Sequence, residues 1–143
     1  MKLDKSKWNG CPIRYSAEII ADKWTFLILR DLMFRGKSSY NAMLKSSEQI
    51  STNILANRLG KMEQNGLLLK KRDKDNGKQF IYQLTEKGTD LMPVLLGLFE
   101  WSYKYDEKTF LTQEVVEQMQ GDTQAMVDEF KAGKVLVLGA KES

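Results

Sequence analysis

Two strand-like runs late in the chain flank the tripeptide Asp75-Asn76-Gly77. Leu67-Leu68-Leu69 precedes the tripeptide, and Gln79-Phe80-Ile81-Tyr82 follows it. An Asn-Gly pair between two such runs is the strongest short-range signal for a β-hairpin with a tight turn. The rest of the chain has mostly helical periodicity, so the sequence predicts a mainly α fold with one small hairpin.

Helical segments are predicted on both sides of the hairpin. Before it we expect a helix over about 15–33 that ends near Gly36, and a short helix over about 40–45 with Ser38 or Ser39 as N-cap. A third helix is expected from Ser51 to about residue 65, ending on Gly66. After the hairpin, Thr85 is expected to cap a long helix over about 86–105. Thr112 begins a further helix that breaks near residue 121.

The charge of the chain is concentrated in its middle. The 143 residues carry a formal charge of only +3, but residues 35–87 contain 11 basic and 5 acidic side chains, a local +6. Residues 109–143 contain 3 basic and 6 acidic side chains, a local −3. An anionic partner is therefore expected at the centre of the chain.

The chain contains no His and a single Cys. This composition excludes a Ser-His-Asp or Cys-His couple, a His/Cys zinc site and a disulfide within the chain. We therefore expect no catalytic residues, no metal and no cofactor. The first ten residues are polar, and the longest apolar stretch, 91–101, is too short to cross a bilayer and contains Pro93. A soluble, cytoplasmic protein without membrane contact is expected.

Three compact helices followed by a basic hairpin form the plan of a winged helix-turn-helix domain, in which the third helix enters the DNA major groove. On this helix Asn53 and Asn57 share one exposed face at i and i+4. Asn can bond adenine at two positions, and the small Ala56 and Gly60 would let the helix approach the base edges. Ser51 and Thr52 suit a phosphate at the helix N-terminus, with Lys61 at the border of the face. The alternative is a solvated helix with an amide-rich polar side.

The hairpin carries five basic side chains, Lys70, Lys71, Arg72, Lys74 and Lys78, against two acidic ones. As a wing it would follow backbone phosphates or enter the minor groove. The alternative is that these lysines protect an exposed sheet edge, and both roles can hold together. The predicted DNA-binding residues are Ser39, Ser51, Thr52, Asn53, Ala56, Asn57, Lys61, Lys74, Asn76 and Lys78.

Four stretches together resemble the HxlR family, relatives of the MarR-type winged-helix regulators. They are Cys11-Pro12, residues 22–30 (DKWTFLILR), residues 50–68 (ISTNILANRLGKMEQNGLL) and residues 82–88 (YQLTEKG). The resemblance implies a non-catalytic, homodimeric transcription regulator that binds a pseudo-palindromic operator on double-stranded DNA. It also implies a response to oxidants or electrophiles through a cysteine near the N-terminus, where Cys11 lies. The alternative is that Cys11 is inert, because a lone cysteine is more often a small buried apolar residue than a sensor.

The family's usual end soon after the long helix suggests two parts. Residues 1–108 would form the DNA-binding domain with its dimerisation helix over 86–105, and residues 109–143 a helical extension. Apolar side chains cover a wider arc of the long helix than the ~100° that one buried face needs. A second copy of the chain is expected to cover the excess, although the extension could cover it instead. The predicted interface residues are Leu91, Leu95, Leu98, Phe99, Trp101 and Tyr105.

Three other functions remain as alternatives. A winged-helix module that binds protein without specific DNA binding should expose large apolar residues on the third helix, where this chain has amides and small residues. An enzyme with Cys11 as nucleophile lacks a visible second catalytic group. An RNA-binding protein should offer exposed aromatic rings for stacking, and the predicted recognition face has none.

Overall fold

The computed structural model describes residues 9–134. Residues 1–8 of the polar N-terminal segment, for which the sequence predicts a loose arm, and residues 135–138, for which it allows a short strand, lie outside these residues. The described chain forms eight helices and one two-stranded antiparallel sheet. Their bounds are α1 Pro12–Ile20, α2 Lys23–Phe34, α3 Tyr40–Leu44, α4 Thr52–Gln64, β1 Leu68–Arg72, β2 Phe80–Leu84, α5 Glu86–Thr89, α6 Met92–Tyr105, α7 Gln113–Met119 and α8 Thr123–Lys131.

The single helix predicted over 15–33 is wrong, because the chain breaks at Ala21 and Asp22. Asp22 has an extended backbone (φ −153°, ψ 132°), and its side chain accepts a hydrogen bond from the backbone N–H of Thr25. An aspartate that caps a helix offers the backbone an alternative to continued helix. The apolar periodicity runs through this break and therefore does not reveal it.

The predicted helix-turn-helix pair is confirmed, with both caps. Ser39 caps α3 by accepting from the N–H of Ala42, and Ser51 caps α4 by accepting from the N–H of Ile54. Helix α4 ends at Gln64, and Asn65 is its C-cap. The next residue, Gly66, has a positive φ of 76°. A left-handed residue after the last turn is the usual glycine ending of a helix.

The hairpin is confirmed, but its tight turn is wrong. The register pairs Leu68 with Leu84 and Arg72 with Phe80, which leaves a loop of residues 73–79. Asn76 and Gly77 both lack the positive φ that a two-residue Asn-Gly turn requires. Side-chain bonds shape the longer loop instead: Asp73 accepts from the N–H of Asp75 and from Gln79, at 2.9 Å each.

The helix predicted over 86–105 is also divided, into α5 and α6. Pro93 stands in the first turn of α6. In an unbroken helix its ring would clash with the carbonyl of Thr89, four residues earlier. The break at Asp90 and Leu91 removes this clash, while Thr85 caps α5 as predicted.

One hydrophobic core joins the winged helix-turn-helix elements and the C-terminal helices. Helix α2 contributes Leu29 and Met33 to it, and α7 and α8 contribute Val116, Met119 and Val127. A boundary at residue 108 therefore divides a shared core, and the two-part division remains a proposal. None of the helices formed by residues 9–134 has the length and apolar character needed to cross a bilayer.

Candidate nucleic-acid interface

The outer face of α4 is polar and open. Asn53, Ala56, Asn57 and Lys61 are all exposed, whereas Leu55, Leu59 and Met62 lie in the core on the opposite side. A Cβ added at Gly60 would meet no atom within 4 Å. The predicted recognition residues thus share one accessible strip, and its two smallest residues leave space above the helix axis.

The N-terminus of α4 is held by its neighbour α3. The Tyr40 hydroxyl donates to the backbone carbonyl of Thr52 at 3.2 Å, while Ser51 Oγ accepts from the N–H of Ile54 at 3.2 Å. Ser51 and Thr52 are exposed. The Ser51 hydroxyl and the first-turn N–H groups can therefore reach an anion beside the helix.

A contact that sequence reasoning missed fixes α4 against α2. Arg58 donates to both carboxylate oxygens of Asp22, at 2.8 and 3.2 Å, and its third nitrogen donates to Asn57 Oδ1 at 2.6 Å. The Arg58 hydrogen bond holds the pKa of Asp22 at about 2, below its ordinary value of 3.8. Asp22 therefore caps one helix and orients the side chains of another. No local pattern in the sequence indicates this pairing, because the two residues are 36 positions apart.

The turn before α4 is anchored by a second set of charges. Arg30 of α2 forms a bidentate pair with Glu48, at 2.7 and 2.8 Å, and also contacts Asp31. The Ser46 hydroxyl donates to Asp31 at 2.6 Å. The hydrogen bond from Arg30 holds the pKa of Glu48 below its ordinary value. The position of α4 thus depends on two ion pairs with α2.

The wing contacts α3 and its N-cap near the loop end of β2, while the turn of the wing carries exposed polar side chains. Ser39 forms a β-bridge with Ile81, and Asn41 of α3 donates to Gln79 at 3.2 Å. At the tip, Lys74, Asn76 and Lys78 are exposed. Within residues 9–134, no carboxylate pairs with Lys74 or Lys78.

A groove of about 290 Å³ separates α4 from the wing. Ala56 and Gly60 line one side and Lys70 and Phe80 the other, with Tyr82 also in the wall. Lys70 Nζ lies 4.0 Å from the centre of the Phe80 ring, and the Arg72 guanidinium lies 4.8 Å from it. The cationic wing and the small residues of the outer face of α4 therefore border the same groove, whose α4 side also carries Glu63.

The six residues predicted for the dimer interface divide into three groups. Leu98, Trp101 and Tyr105 are exposed, Trp101 with 66% of its surface. Leu95 is only 2% exposed and belongs to the chain's own core, and Phe99 packs on Phe34 with ring centres 5.3 Å apart. Leu91 is half-buried. Exposed Val94, absent from the predicted set, extends the same stripe.

The comparisons with known proteins agree with this geometry. The model of the HxlR-like helix-turn-helix family matches residues 19–110. The chain belongs to the HxlR-like helix-turn-helix family. It is 31% identical over 101 residues to the uncharacterised HTH-type transcriptional regulator YdeP of Bacillus subtilis, covering 71% of this chain and 78% of YdeP. To the HTH-type transcriptional regulator YodB of B. subtilis it is 32% identical, covering 68% of this chain and 87% of YodB.

Solved structures share the fold of this HxlR-like chain. The crystal structure of PA1607 superposes with a TM-score of 0.67 at 30% identity, covering 76% of this chain and 78% of PA1607. The reduced form of YodB superposes with a TM-score of 0.53 at 27% identity, covering 68% of this chain and 95% of YodB. The HxlR-like chain is therefore a transcriptional regulator with a winged helix-turn-helix fold, as its sequence predicted.

Proposed function

We propose that this HxlR-like regulator binds a specific operator as a homodimer, with α4 in the major groove and the wing on the backbone. The observation that supports this proposal is the outer strip of α4, which carries two exposed amides and two small residues, the small residues bordering the groove beside the cationic wing. A major groove presents donor and acceptor patterns that amides can read. The net +6 of residues 35–87 supplies attraction to phosphates.

Asn53 and Asn57 have different freedom to read a base. Arg58 already donates to Asn57 Oδ1, so the Nδ2 group of Asn57 points away as a fixed donor. Within residues 9–134, no side chain restrains Asn53. We therefore infer that Asn57 donates a hydrogen bond to an acceptor on a base edge. The amide of Asn53 can rotate, so it can present either its donor or its acceptor to a base.

The operator test uses promoter fragments from beside the protein's own gene. We expect two footprinted half-sites about one helical turn apart, or a multiple of it. Asn57→Ala should weaken operator binding by about 1–3 kcal/mol and leave non-specific binding nearly unchanged. Lys78→Ala should weaken both kinds of binding and reduce the salt slope by about 1. Equal losses of both kinds of binding in Asn57→Ala would refute the assignment of α4.

The dimer rests on the stripe of Val94, Leu98, Trp101 and Tyr105 along α6. Their spacing of 4, 3 and 4 residues places them on one side of the helix, and all four are exposed in the single chain. Helices α7 and α8 bury other apolar residues but leave this stripe uncovered. A second copy meeting the stripe across a two-fold axis would bury it.

A redox response through Cys11 is the second component of this proposal. Cys11 is half-buried at the N-cap of α1, where its thiol makes no capping hydrogen bond. YodB has been solved both reduced and after diamide treatment. In a dimer, two Cys11 thiols could lose two protons and two electrons to diamide and form one disulfide if their Cα atoms come within about 7 Å.

We expect diamide to produce a dimer on non-reducing electrophoresis and to change operator affinity. The Cys11→Ser variant should keep its operator affinity under the same treatment, because it has no thiol to oxidise. Dithiothreitol should reverse the effect in the wild type. If folded wild-type protein keeps its affinity and Cys11 takes up no thiol label, the residue is structural.

A protein-binding module without specific DNA binding remains the alternative. It predicts that no promoter fragment competes better than unrelated DNA of the same length. The exposed face of α4 argues against it, because that face offers amides and small residues where a protein interface would present large apolar anchors.

A further inference from the structure

A cavity of about 390 Å³ lies between the C-terminal helix α8 and the strand β2 of the wing. We propose that this cavity binds an uncharged, mainly apolar small molecule with one or two hydrogen-bonding groups, and that its occupancy changes operator binding by moving β2. The binding step is independent of DNA. The second step rests on the proposed function.

The walls of the cavity are mostly apolar. Buried residues of α2 and β2 form its floor, and half-buried side chains form its sides; they are Leu32, Met33, Tyr82, Leu84 and Phe130. Its volume lies within the range of about 300–1,000 Å³ that small-molecule sites occupy. Burial of a ligand's apolar surface against these side chains supplies the binding free energy.

Helix α8 contributes one wall, and it lies outside the family domain. The family match ends at residue 110, whereas Phe130, Lys131 and Lys134 line the cavity. The cavity therefore exists in this chain because the C-terminal helices dock on the back of the winged domain. It is a feature of this chain's extension rather than of the family domain.

The charged rim is already neutralised. Lys131 Nζ lies 3.1 Å from Asp90 Oδ1 and 3.6 Å from Glu86 Oε1, and Lys134 Nζ lies 3.4 Å from Glu129 Oε2. An anionic ligand would have to displace a carboxylate from either lysine. An uncharged ligand avoids this competition and the cost of losing its own hydration.

Two uncharged side-chain groups among the described lining residues remain for a ligand, the Ser38 hydroxyl and the Nε2 group of Gln83. Thr85 Oγ1 is engaged with Gly66 and Gly88, and Gln83 Oε1 accepts from Lys71. The hydroxyl of exposed Ser38 lines the cavity and has no side-chain partner among residues 9–134. A ligand with one or two hydrogen-bonding groups fits this arrangement.

Strand β2 connects the cavity to the candidate DNA-binding elements. The backbone N–H of Tyr82 donates to the carbonyl of Ser38 at 2.8 Å, and the adjacent Ser39, the N-cap of α3, bridges to Ile81. Tyr82 also lines the groove beside α4. A ligand that moves β2 therefore changes both the wing and the wall of that groove.

The test compares two fluorescent probes with one skeleton, neutral N-phenyl-1-naphthylamine and its sulfonated analogue 8-anilinonaphthalene-1-sulfonate. The full-length protein should bind the neutral probe at least about ten-fold more tightly, because the sulfonate must lose hydration without gaining a free cation. Phe130→Ala should weaken binding of the neutral probe about ten-fold. The matched control Phe110→Ala removes a half-exposed ring outside the cavity and should leave binding unchanged.

A second variant is needed because Phe130→Ala could weaken probe binding simply by destabilising α8. Ser38→Phe adds bulk at an exposed position of the cavity wall, so it should abolish probe binding without lowering the free energy of unfolding. Equal binding of the two probes, equal loss in both alanine variants, or full binding by Ser38→Phe would overturn the site.

The coupling is measured separately, as operator affinity with and without saturating neutral probe. We expect a change of several-fold in the wild type and none in Ser38→Phe. If the operator affinity of the wild type does not change with the probe, the coupling between cavity and DNA binding is refuted, while the binding site itself still stands. Probe binding without any operator binding would instead refute the proposed function.

Discussion

Asp22 and Arg58 are 36 positions apart in the chain, and their contact sets the geometry of the recognition face. Arg58 uses two nitrogens on the carboxylate and a third on Asn57, so the orientation of a candidate base reader is fixed by a residue at the start of α2. A planar guanidinium can make these contacts together, whereas a lysine would supply one point charge.

The lowered pKa of Asp22 gives this pair a defined pH dependence. The carboxylate titrates at about 2 in the folded chain and at about 3.9 when unfolded. Its contribution to stability is therefore complete above about pH 4 and is lost as the pH falls toward 2. We expect the difference in free energy of unfolding between wild type and Asp22→Asn to shrink between pH 6 and pH 3, as measured by urea denaturation.

The control for this prediction is the same substitution in an Arg58→Met background. Without its guanidinium partner, Asp22 retains only the cap of α2, and the pH dependence should weaken. An unchanged difference in both backgrounds would show that Arg58 does not set the titration of Asp22.

For individual residues, the sequence predicts which side chains are exposed but not which side chains contact each other. Helical periodicity placed Asn53, Ala56 and Asn57 on the outer face of α4, and the structure has them exposed. The partner of Arg58 depends on how α2 crosses α4, and a single sequence does not encode that crossing in any local pattern.

Among the structural elements, the junction between β1, β2 and α5 is the most tightly constrained. Gly88 is buried in α5, where a Cβ would collide with the carbonyl oxygen of Leu67 and with Leu84. The backbone of α5 therefore approaches the start of the wing more closely than any side chain permits. Thr85 strengthens the junction, since its hydroxyl donates to Gly66 and its oxygen accepts from Gly88.

Gly88→Ala should destabilise the protein by about 1–3 kcal/mol, because a backbone atom must move to admit the methyl group. The matched control is Gly60→Ala, also in a helix but with no atom within 4 Å of the added Cβ. We expect that variant to keep its stability or gain up to about 1 kcal/mol. Thermal and urea denaturation measure both variants, and similar destabilisation of the two would contradict the close approach.

The elements themselves were predictable, and their interruptions were not. Caps at Ser39, Ser51, Thr85 and Thr112 follow from local chemistry, and the structure has each of them. The breaks at Asp22 and before Pro93 fall inside continuous apolar patterns. Periodicity therefore predicts one helix at each place, although the Asp22 cap and the Pro93 ring interrupt it. The wing loop differs from a tight turn because Asp73 and Gln79 bond across it.

For the whole molecule, the extension does more than cover an apolar helix. Helices α7 and α8 share the core of the winged domain and form one wall of the proposed ligand cavity. They nevertheless leave one face of α6 exposed. The apolar arc of α6 is wider than one buried face needs, and part of it is therefore covered within the chain while the rest stays on the surface. That division is a property of the assembled chain, and the helical pattern alone gives no sign of it.

The exposed stripe of α6 gives the last prediction, which concerns oligomeric state. Leu98 is 41% exposed on this stripe, and Leu69, on strand β1, is 51% exposed. Leu98→Glu would bury two charges near the two-fold axis of the proposed dimer, which costs several kcal/mol unless the chains separate. We expect sedimentation to show a dimer for the wild type and a monomer for Leu98→Glu at micromolar concentration.

The matched control Leu69→Glu makes the same change on an exposed leucine of the wing and should leave the dimer intact. Leu98→Glu should also lose most of its affinity for a full operator while binding an isolated half-site as the wild type does, because its α4 and wing are unaltered. A dimer that persists in Leu98→Glu would place the interface elsewhere, and a monomeric wild type would leave the stripe to another partner. Reduced half-site binding would instead show that the substitution disturbs the winged domain itself, which a comparison of unfolding free energies would detect.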